Sequence, residues 1–575
     1  MRDITRPEVW APAASTVELV LEGERRPLTR TDDGWWRGTR LEPGTRYAFS
    51  IDDGNPLPDP RSLSQPEGPH AASEIVDPAI FDRPAWSGKN LRGKVFYELH
   101  IGTFTDAGTF DAAIDKLDHL VELGVDAIEI MPVADFPGER GWGYDGVGLY
   151  ATHHAYGGPA AFVRFVDAAH ERGLGVILDV VHNHLGPEGN YLAEFGPYFT
   201  DEHDTPWGAA VNLDADGSEE IRAFLLGAVR QWIVDFQLDG LRLDAVHALH
   251  DRSELHFLAE ISNATDQWAE ELDRPIFIAA ESDLNQPYMV APTESMPKAR
   301  GMDAQWADDV HHALHSFFSQ ETDGYYVDFG SVEVVQKALM KVFVHDGNHS
   351  TFREQEWGAP VDPLTGLYDG HSFVVFIQNH DQVGNRAIGD RLGHSVEIGS
   401  VAAAAATYLL SPYTPMLFMG EEWDASSRFP FFSHLGKELG PFVTEGREAE
   451  FAKMGWANTV PDPQAESTFL SAKLRWPELD LPVHRRVFDW YKTIIRLRRE
   501  LPGAMDPDLL STTVDIIDGD SYVMRRPGFS VYATRAAQNM TIVTEGEVLA
   551  SWDEPIRSGK TLTFHGPGVV VVSGE

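Results

Sequence analysis

The chain has 575 residues, enough for three to four domain-sized units, and 43% of them are hydrophobic with 11% aromatic, which excludes disorder for the bulk. A formal net charge of −43 excludes nucleic acid and anionic membranes as partners, since both would repel it, and favours a neutral ligand held by directed hydrogen bonds. Cysteine is absent, so disulfides, thiolate nucleophiles, zinc–cysteine clusters and iron–sulfur centres are excluded together.

The first residues, MRDITRPEVWAPAAS, carry no apolar run of the kind a secretory signal needs, and a cytoplasmic protein is the expectation. From Val9 to about Ala85, short alternating runs such as STVELVL and TRYAFSI are broken by Gly, Pro and Asp, the pattern of a small antiparallel β domain. Within it, Leu57–Ala72 reads as a linker or an ordered loop. Residues 1–90 are assigned to this N-terminal unit.

From about Lys94 to Leu501, strand-like runs alternate with amphipathic segments. The expected strands are Val95–Leu99, Ala127–Met131, Val176–Val181, Gly240–Leu243, Ile276–Ala280, Ala304–Trp306, Phe373–Ile377 and Met416–Met419. In Ser218–Gln237, residues Ile221, Phe224, Leu225, Val229, Trp232, Ile233 and Phe236 fall on one helical stripe. Ser218 is the expected N-cap, with Glu219 and Glu220 in the first turn, where the helix dipole favours anions. Ile398–Gly420 carries no charge and is long enough to span a bilayer. Pro412 and Pro415 interrupt it, so a buried helix followed by a buried strand is expected. Residues 91–503 are therefore read as an α/β unit, a closed (β/α)8 barrel with loop insertions, with an open doubly wound sheet as the alternative. The last stretch, 504–575, alternates again at Tyr522–Arg525, Ser530–Thr534, Met540–Thr544, Leu562–Phe564 and Val569–Val572, and a C-terminal antiparallel β domain is expected.

A barrel gathers the C-terminal ends of its strands on one face, where the active site lies. Four of these ends carry polar groups where a buried strand should stay apolar: Asp179, His182, Asn183 and His184 in VILDVVHNH; Arg242, Asp244 and His247 in GLRLDAVH; Glu281 in IFIAAESD; and Asn379, His380 and Asp381 in QNHD. Arg242 and Asp244 alternate with Leu241 and Leu243, so both project to one side of the strand. Any one of them reads most simply as a solvated loop residue; four acid-bearing ends together are hard to ascribe to chance. Carboxylates without a thiol suit glycoside hydrolysis with retention, which pairs an ionised carboxylate with a protonated carboxyl. Arg242 would hold Asp244 ionised, and the apolar run before Glu281 would keep that group a proton donor. Asp381 would bind sugar hydroxyls.

Other readings use the same residues. His182 and His184, or Asp308, Asp309, His311 and His312 in WADDVHH, suit a zinc or dinuclear centre. Asn212, Asp214, Asp216 and Gly217 imitate an EF-hand loop, but Ala223 stands where a bidentate Glu is required, so a helix-capping loop is expected instead. Gly141, Gly143 and Gly146 spell G-x-G-x-x-G inside a loop after strand two, without the strand-to-helix setting a dinucleotide site needs. Trp142, Tyr144 and Tyr150 in that loop are candidate platforms for sugar rings, and Trp207, Tyr288, Trp306 and Trp423 are further ones, although core packing is the commoner fate of a tryptophan.

DVVHNH, GLRLDAVH, the Glu of AAESD and QNHD, in this order and spacing, resemble the four signature regions of the α-amylase superfamily of glycoside hydrolases. The resemblance implies Asp244 as nucleophile, Glu281 as general acid/base and Asp381 as transition-state stabiliser. It implies that Arg242, His184 and His380 contact the sugar and that Tyr144 stacks beneath it. It also extends the substrate-binding set to the neighbouring motif positions Asp179, Ala245, Val246, His247, Asn379, Gln382 and Asn385. VWAPAASTVELVL looks like the carbohydrate-binding-like β-sandwich that precedes the barrel in branching and debranching relatives. Within the superfamily, GWGYDGVGLYATHHAYGGP, DAQWADDVHHALH and QNHDQVGNRAIGDRL are most similar to the branch that cleaves maltooligosyltrehalose next to its terminal trehalose. That likeness implies maltooligosyltrehalose and related α-glucan oligosaccharides as substrates, and functional coupling to a maltooligosyltrehalose synthase. Asp308, Asp309 and His312 are the candidates for recognising trehalose. Leu185–Asp216 is short beside the calcium-bearing excursion of typical α-amylases, so neither calcium nor any other cofactor is expected. A branching or debranching enzyme would use the same three acids, and a catalytically dead carbohydrate-binding barrel would lack them.

Overall fold

A computed structural model describes residues 2–31, 33–205, 208–453 and 460–574. Eight strands, β1 (Phe96–Leu99), β2 (Ala127–Ile130), β3 (Gly175–Val180), β4 (Gly240–Leu243), β5 (Phe277–Ala280), β6 (Ala304–Trp306), β7 (Phe373–Val375) and β8 (Thr414–Phe418), form one closed barrel. All neighbours run parallel, and β8 returns to β1 with Met416 beside Phe96 and Phe418 beside Glu98. The open doubly wound alternative is thereby corrected.

The two-residue period of a strand divides the lumen into two layers. Lower positions carry Phe96, Ala127, Ile177, Phe277, Ala304, Val374 and Met416, which pack into one apolar cluster with Trp306 and Phe376. Two residues further along the same faces come Glu98, Glu129, Asp179 and Arg242, all at most 3% exposed. Gly240 fits the closure sterically: a Cβ there would lie 2.2 Å from the Phe277 carbonyl oxygen, so a side chain would push β4 off β5.

Outside the barrel, helix Ser218–Arg230 continues through a wider turn to Asp235 and buries all seven stripe residues. Its cap differs from expectation. Gly217 takes that position in the left-handed conformation (φ 81°), and Ser218 is the first helical residue with no capping hydrogen bond. The preceding loop is tied instead by Asn212, whose side chain accepts from the Ala215 N–H and donates to the carbonyls of Pro197 and Asp216. Helix Ile398–Leu409 leads through SPY into β8. It needs no charged face because helix Pro482–Glu500 and the C-terminal sheet cover it, with Trp490 donating to the Ala402 carbonyl and Thr407 bonded to Tyr522. Among the described residues no helix is long and apolar enough to cross a membrane. Only a short 3₁₀ turn, Pro287–Met289, interrupts the 280–304 connection between β5 and β6.

The chain before β1 forms two antiparallel sheets, in which Val17–Leu21 pairs with Arg46–Ile51. Leu57–Ala72 is an ordered loop, with Leu57 bridged to Phe49 and Asp59 accepting from the Tyr47 hydroxyl at 2.7 Å. After Leu501 a five-stranded and a three-stranded antiparallel sheet follow, containing every C-terminal run expected from sequence and adding Thr513–Asp518, Val548–Ser551 and Ile556–Ser558.

Candidate active site

Directly beyond the ends of β3, β4, β5 and β7 a cleft of about 350 Å³ opens, lined by Trp142, Tyr144, Asp145, His184, Arg242, Asp244, Ala245, His247, Glu281, His380, Asp381 and Phe431. The three acids singled out in the sequence therefore share one wall-to-wall space. Arg242, 2% exposed, stands at its floor with the guanidinium 4.3 Å from the Trp306 ring centre. Its Nη1 donates to Asp179 (2.9 and 2.8 Å) and to Asp244 Oδ1 (2.7 Å), while Nη2 lies 3.7 Å from Glu281 Oε2. Asn183 donates to Asp244 Oδ2 at 2.9 Å.

These contacts pull two carboxyls apart electrostatically. Burial pushes Asp244 up, but the Arg242 charge, the Asn183 hydrogen bond and nearby His184 outweigh it, and the group sits below its ordinary value of 3.8. Glu281 is pushed well above 4.5, first by burial, against the pull of Arg242 and with the negative charges of Asp244, Asp308 and Asp381 adding to the rise. The cleft thus biases one carboxyl toward its ionised form and the other toward its protonated form, the pair that retaining glycoside hydrolysis requires. The two are also linked through the backbone. Ala245, in the left-handed region at φ 40°, directs its N–H at Glu281 Oε2 (2.5 Å), and the Val246 N–H donates to the Glu281 carbonyl. A non-glycine residue held there right after Asp244 is a local strain of the kind found at functional sites.

Asp381 lies in the short helix His380–Gly384, capped by Asn379, whose side chain accepts the Gln382 N–H at 2.7 Å. Asn385 donates to Asp381 Oδ1 and accepts from Arg447 at 3.1 Å, so a residue from helix Gly440–Lys453 steadies this acid. Tyr144 stacks on His380 with ring centres 5.1 Å apart. Its loop depends on Gly143 (φ 101°), where a Cβ would lie 2.2 Å from the Pro132 carbonyl oxygen. Gly143→Ala is therefore expected to cost about 1–3 kcal/mol of strain and to shift Trp142 and Tyr144. A displacement of about 1 Å would slow turnover by up to roughly 10²-fold. Thermal melting and steady-state kinetics together check this, and unchanged kinetics would show that the loop does not shape the cleft.

Several expected residues are elsewhere. Asp179 lies beneath the cleft, 3% exposed, and burial raises it to about 6 against the pull of Arg242. Val246 is a core side chain, Asn379 and Gln382 are buried supports, and Asn385 reaches the cleft only through Asp381. Asp308 is half-buried and raised to about 6, by burial first, close enough to Glu281 and Asp381 for charge coupling but outside the cleft wall. Asp309 does not face it either: its carboxylate accepts from Asn285 and from the N–H groups of Val344 and His345. His312 packs against Tyr325, Tyr326 and Phe329. Of the suggested platforms, Tyr150, Trp306 and Trp423 are at most 3% exposed, Tyr288 does not line the cleft, and Trp207 lies outside the described residues. Two of the histidines in the metal reading are engaged by protein groups. His311 is bonded to the Ile377 carbonyl and the Tyr326 hydroxyl, and His184 Nε2 faces the Tyr144 carbonyl. Sequence reasoning missed Glu98, Asp145 and Phe431. An acid inside the apolar run of β1 was the available sign for Glu98; no local pattern marks Phe431, which arrives from the long segment after β8.

A family model described as the α-amylase catalytic domain matches residues 77–207. The chain is 46% identical over 577 residues to a malto-oligosyltrehalose trehalohydrolase of Arthrobacter ramosus, covering 99% of each sequence. It is 45% identical over 501 residues to one of Saccharolobus solfataricus, covering 86% of this chain and 84% of that one. A solved structure of a Salmonella typhimurium protein assigned to the α-amylases superposes with a TM-score of 0.90 at 37% identity, covering 99% of this chain and 97% of the other.

Proposed function

The chain belongs to the malto-oligosyltrehalose trehalohydrolase family, and from that premise we propose that it hydrolyses the α-1,4-glucosidic bond next to the terminal trehalose of maltooligosyltrehalose, releasing trehalose and a shortened maltooligosaccharide. It is a glycosidase of the α-amylase type. Asp244 attacks the anomeric carbon as nucleophile, and Glu281 protonates the leaving trehalose and then, as base, activates the water that releases the glycosyl intermediate. Asp381 binds sugar hydroxyls more tightly as the ring flattens. The observation that carries this reading is the one cleft in which Asp244 and Glu281 sit in opposite electrostatic settings around Arg242. Tyr144, His184, His247 and His380 supply its sugar-facing polar and stacking groups.

The same proposal divides the chain into 1–90, 91–503 and 504–575, with the middle part catalytic. It includes a cytoplasmic setting and a preceding maltooligosyltrehalose synthase, because the terminal α-1,4 linkage of a maltooligosaccharide must first be rearranged to trehalose. Chromatography of products from a maltooligosyltrehalose and a plain maltooligosaccharide, run in parallel, tests the substrate. Free trehalose from the first is expected. New or removed α-1,6 linkages would make the protein a branching or debranching enzyme instead.

A further inference from the structure

Below the cleft runs a hydrogen-bonded row whose first member has no part in the chemistry so far. Glu98 on β1 is 1% exposed; its Oε2 accepts the His380 backbone N–H at 2.8 Å, and its Oε1 lies 2.5 Å from His380 Nδ1. His380 Nε2 lies 2.8 Å from the Tyr144 hydroxyl oxygen, and that hydroxyl lies 2.5 Å from Asp179 Oδ2. Asp179 and Asp244 then share Arg242 Nη1.

Each of the three contacts from Glu98 to Asp179 needs one proton. Asp179, paired with Arg242, accepts, so the single tyrosine proton points to it. The Tyr144 oxygen must then accept from His380 Nε2–H, and with Glu98 as the carboxylate its contact places a second proton on Nδ1. A neutral imidazole supplies only one of these two protons, so with both end carboxylates ionised the row holds His380 as the cation.

We propose that Glu98 is a positioning residue that keeps His380 an imidazolium, and that this cation locks Tyr144 under the sugar and, through Asp179 and Arg242, fixes the carboxylate of Asp244. The inference rests on the proposed role of Asp244. The charged and titratable groups facing His380 are Glu98 and His100 from β1 and its end, Tyr144 from the loop after β2, Asp179 from β3, Arg242 from β4, and Asp381 on its own helix. Burial opposes the cation, Glu98 by charge and hydrogen bond and Asp381 by charge favour it, Arg242 opposes it, and the balance lies above the ordinary histidine value. Glu129, the buried acid next along the lumen, does not compete. Among the described residues its oxygens have no hydrogen-bond partner, and burial, with Glu98 beside it, pushes it well above 4.5, toward the neutral form.

The test has two arms. In the wild-type protein, histidine-labelled NMR, with the His380 ring signal assigned by its loss in His380→Gln, should show an imidazolium persisting to higher pH than in an ordinary histidine. In Glu98→Gln the charge is lost, and the one amide oxygen can accept from the His380 backbone N–H or from its ring, not from both. Its turnover is expected to fall about tenfold or more at alkaline pH, the lower end of the loss seen when the carboxylate behind a metal-bound imidazole is removed, to recover toward wild type on acidification, and to show an alkaline limb moved to lower pH. Glu98→Asp should restore the limb. A neutral His380 ring at pH 7 in the wild type, or a Glu98→Gln loss of the same factor at every pH, overturns the proposal. The NMR arm needs no substrate, so a charged His380 in a protein that releases no trehalose would fault the proposed function and not this assignment.

Discussion

Asp244→Asn is expected to remove turnover by roughly 10³–10⁶-fold, the range seen when a covalent nucleophile is deleted, while leaving oligosaccharide affinity within a few-fold of wild type. The reasoning is geometric. The amide has nearly the shape of the carboxylate, so Asn183 and Arg242 stay in place, and the subsites lined by Tyr144, His184 and His380 are untouched. What is lost is the carboxylate charge that Asp244 presents to the cleft just past the end of β4. One amide NH₂ must now face a donor, either Arg242 or Asn183, so melting temperature should fall modestly. Turnover and binding calorimetry of the variant check both statements. Activity above one per cent of wild type would transfer the nucleophile's role to another group.

Glu281→Gln should separate substrates by leaving group. A general acid contributes about 10²–10⁴-fold where the leaving oxygen needs its proton. Maltooligosyltrehalose should therefore slow by that factor in forming the glycosyl intermediate, and an aryl glycoside with an acidic phenol should be largely spared in that step, read as kcat/KM or as the burst of released phenol, while release of the intermediate slows for both. Equal losses of kcat/KM on both would show that Glu281 is not the acid. The pH profile gives an independent sign. The wild-type reaction needs Asp244 ionised, and that group lies below its ordinary value, so the acidic limb should be low. It needs Glu281 protonated, and that group lies well above its ordinary value, so the alkaline limb should be high. Glu281→Gln on the aryl substrate should keep the acidic limb and move the alkaline fall to higher pH.

Much of this was legible in the chain because function breaks the strand pattern. Asp179, Arg242, Asp244 and Glu281 interrupt runs that packing alone would fill with Val, Ile or Leu, and each interruption sits at a strand end. The uncharged 398–420 run was equally legible, since its prolines separate a helix from β8. Proximity in sequence misled in WADDVHH. The helix Asp308–Ser319 spreads these residues around its axis, turning Asp309 toward the N–H groups of residues 344 and 345 and His312 toward an aromatic pocket. Trp306 misled in the opposite way, because strand alternation points it into the lumen under Arg242 instead of toward a ligand.

The linear order of residues by itself determined which functional groups the protein owns and at which strand ends they stand, because side-chain type and a two- or 3.6-residue period are local properties. It did not determine their neighbours or their protonation. Glu98 meets His380, 282 positions away, only because β8 closes on β1, and Phe431 reaches the cleft only across the barrel mouth. Asp244 and Glu281 begin with nearly equal carboxyl affinities for a proton, and they part because one receives Arg242 and Asn183 at hydrogen-bond distance while the other is desolvated among negative charges. Desolvation and Coulomb energy depend on what surrounds a group in three dimensions, so those were decided by the tertiary structure alone.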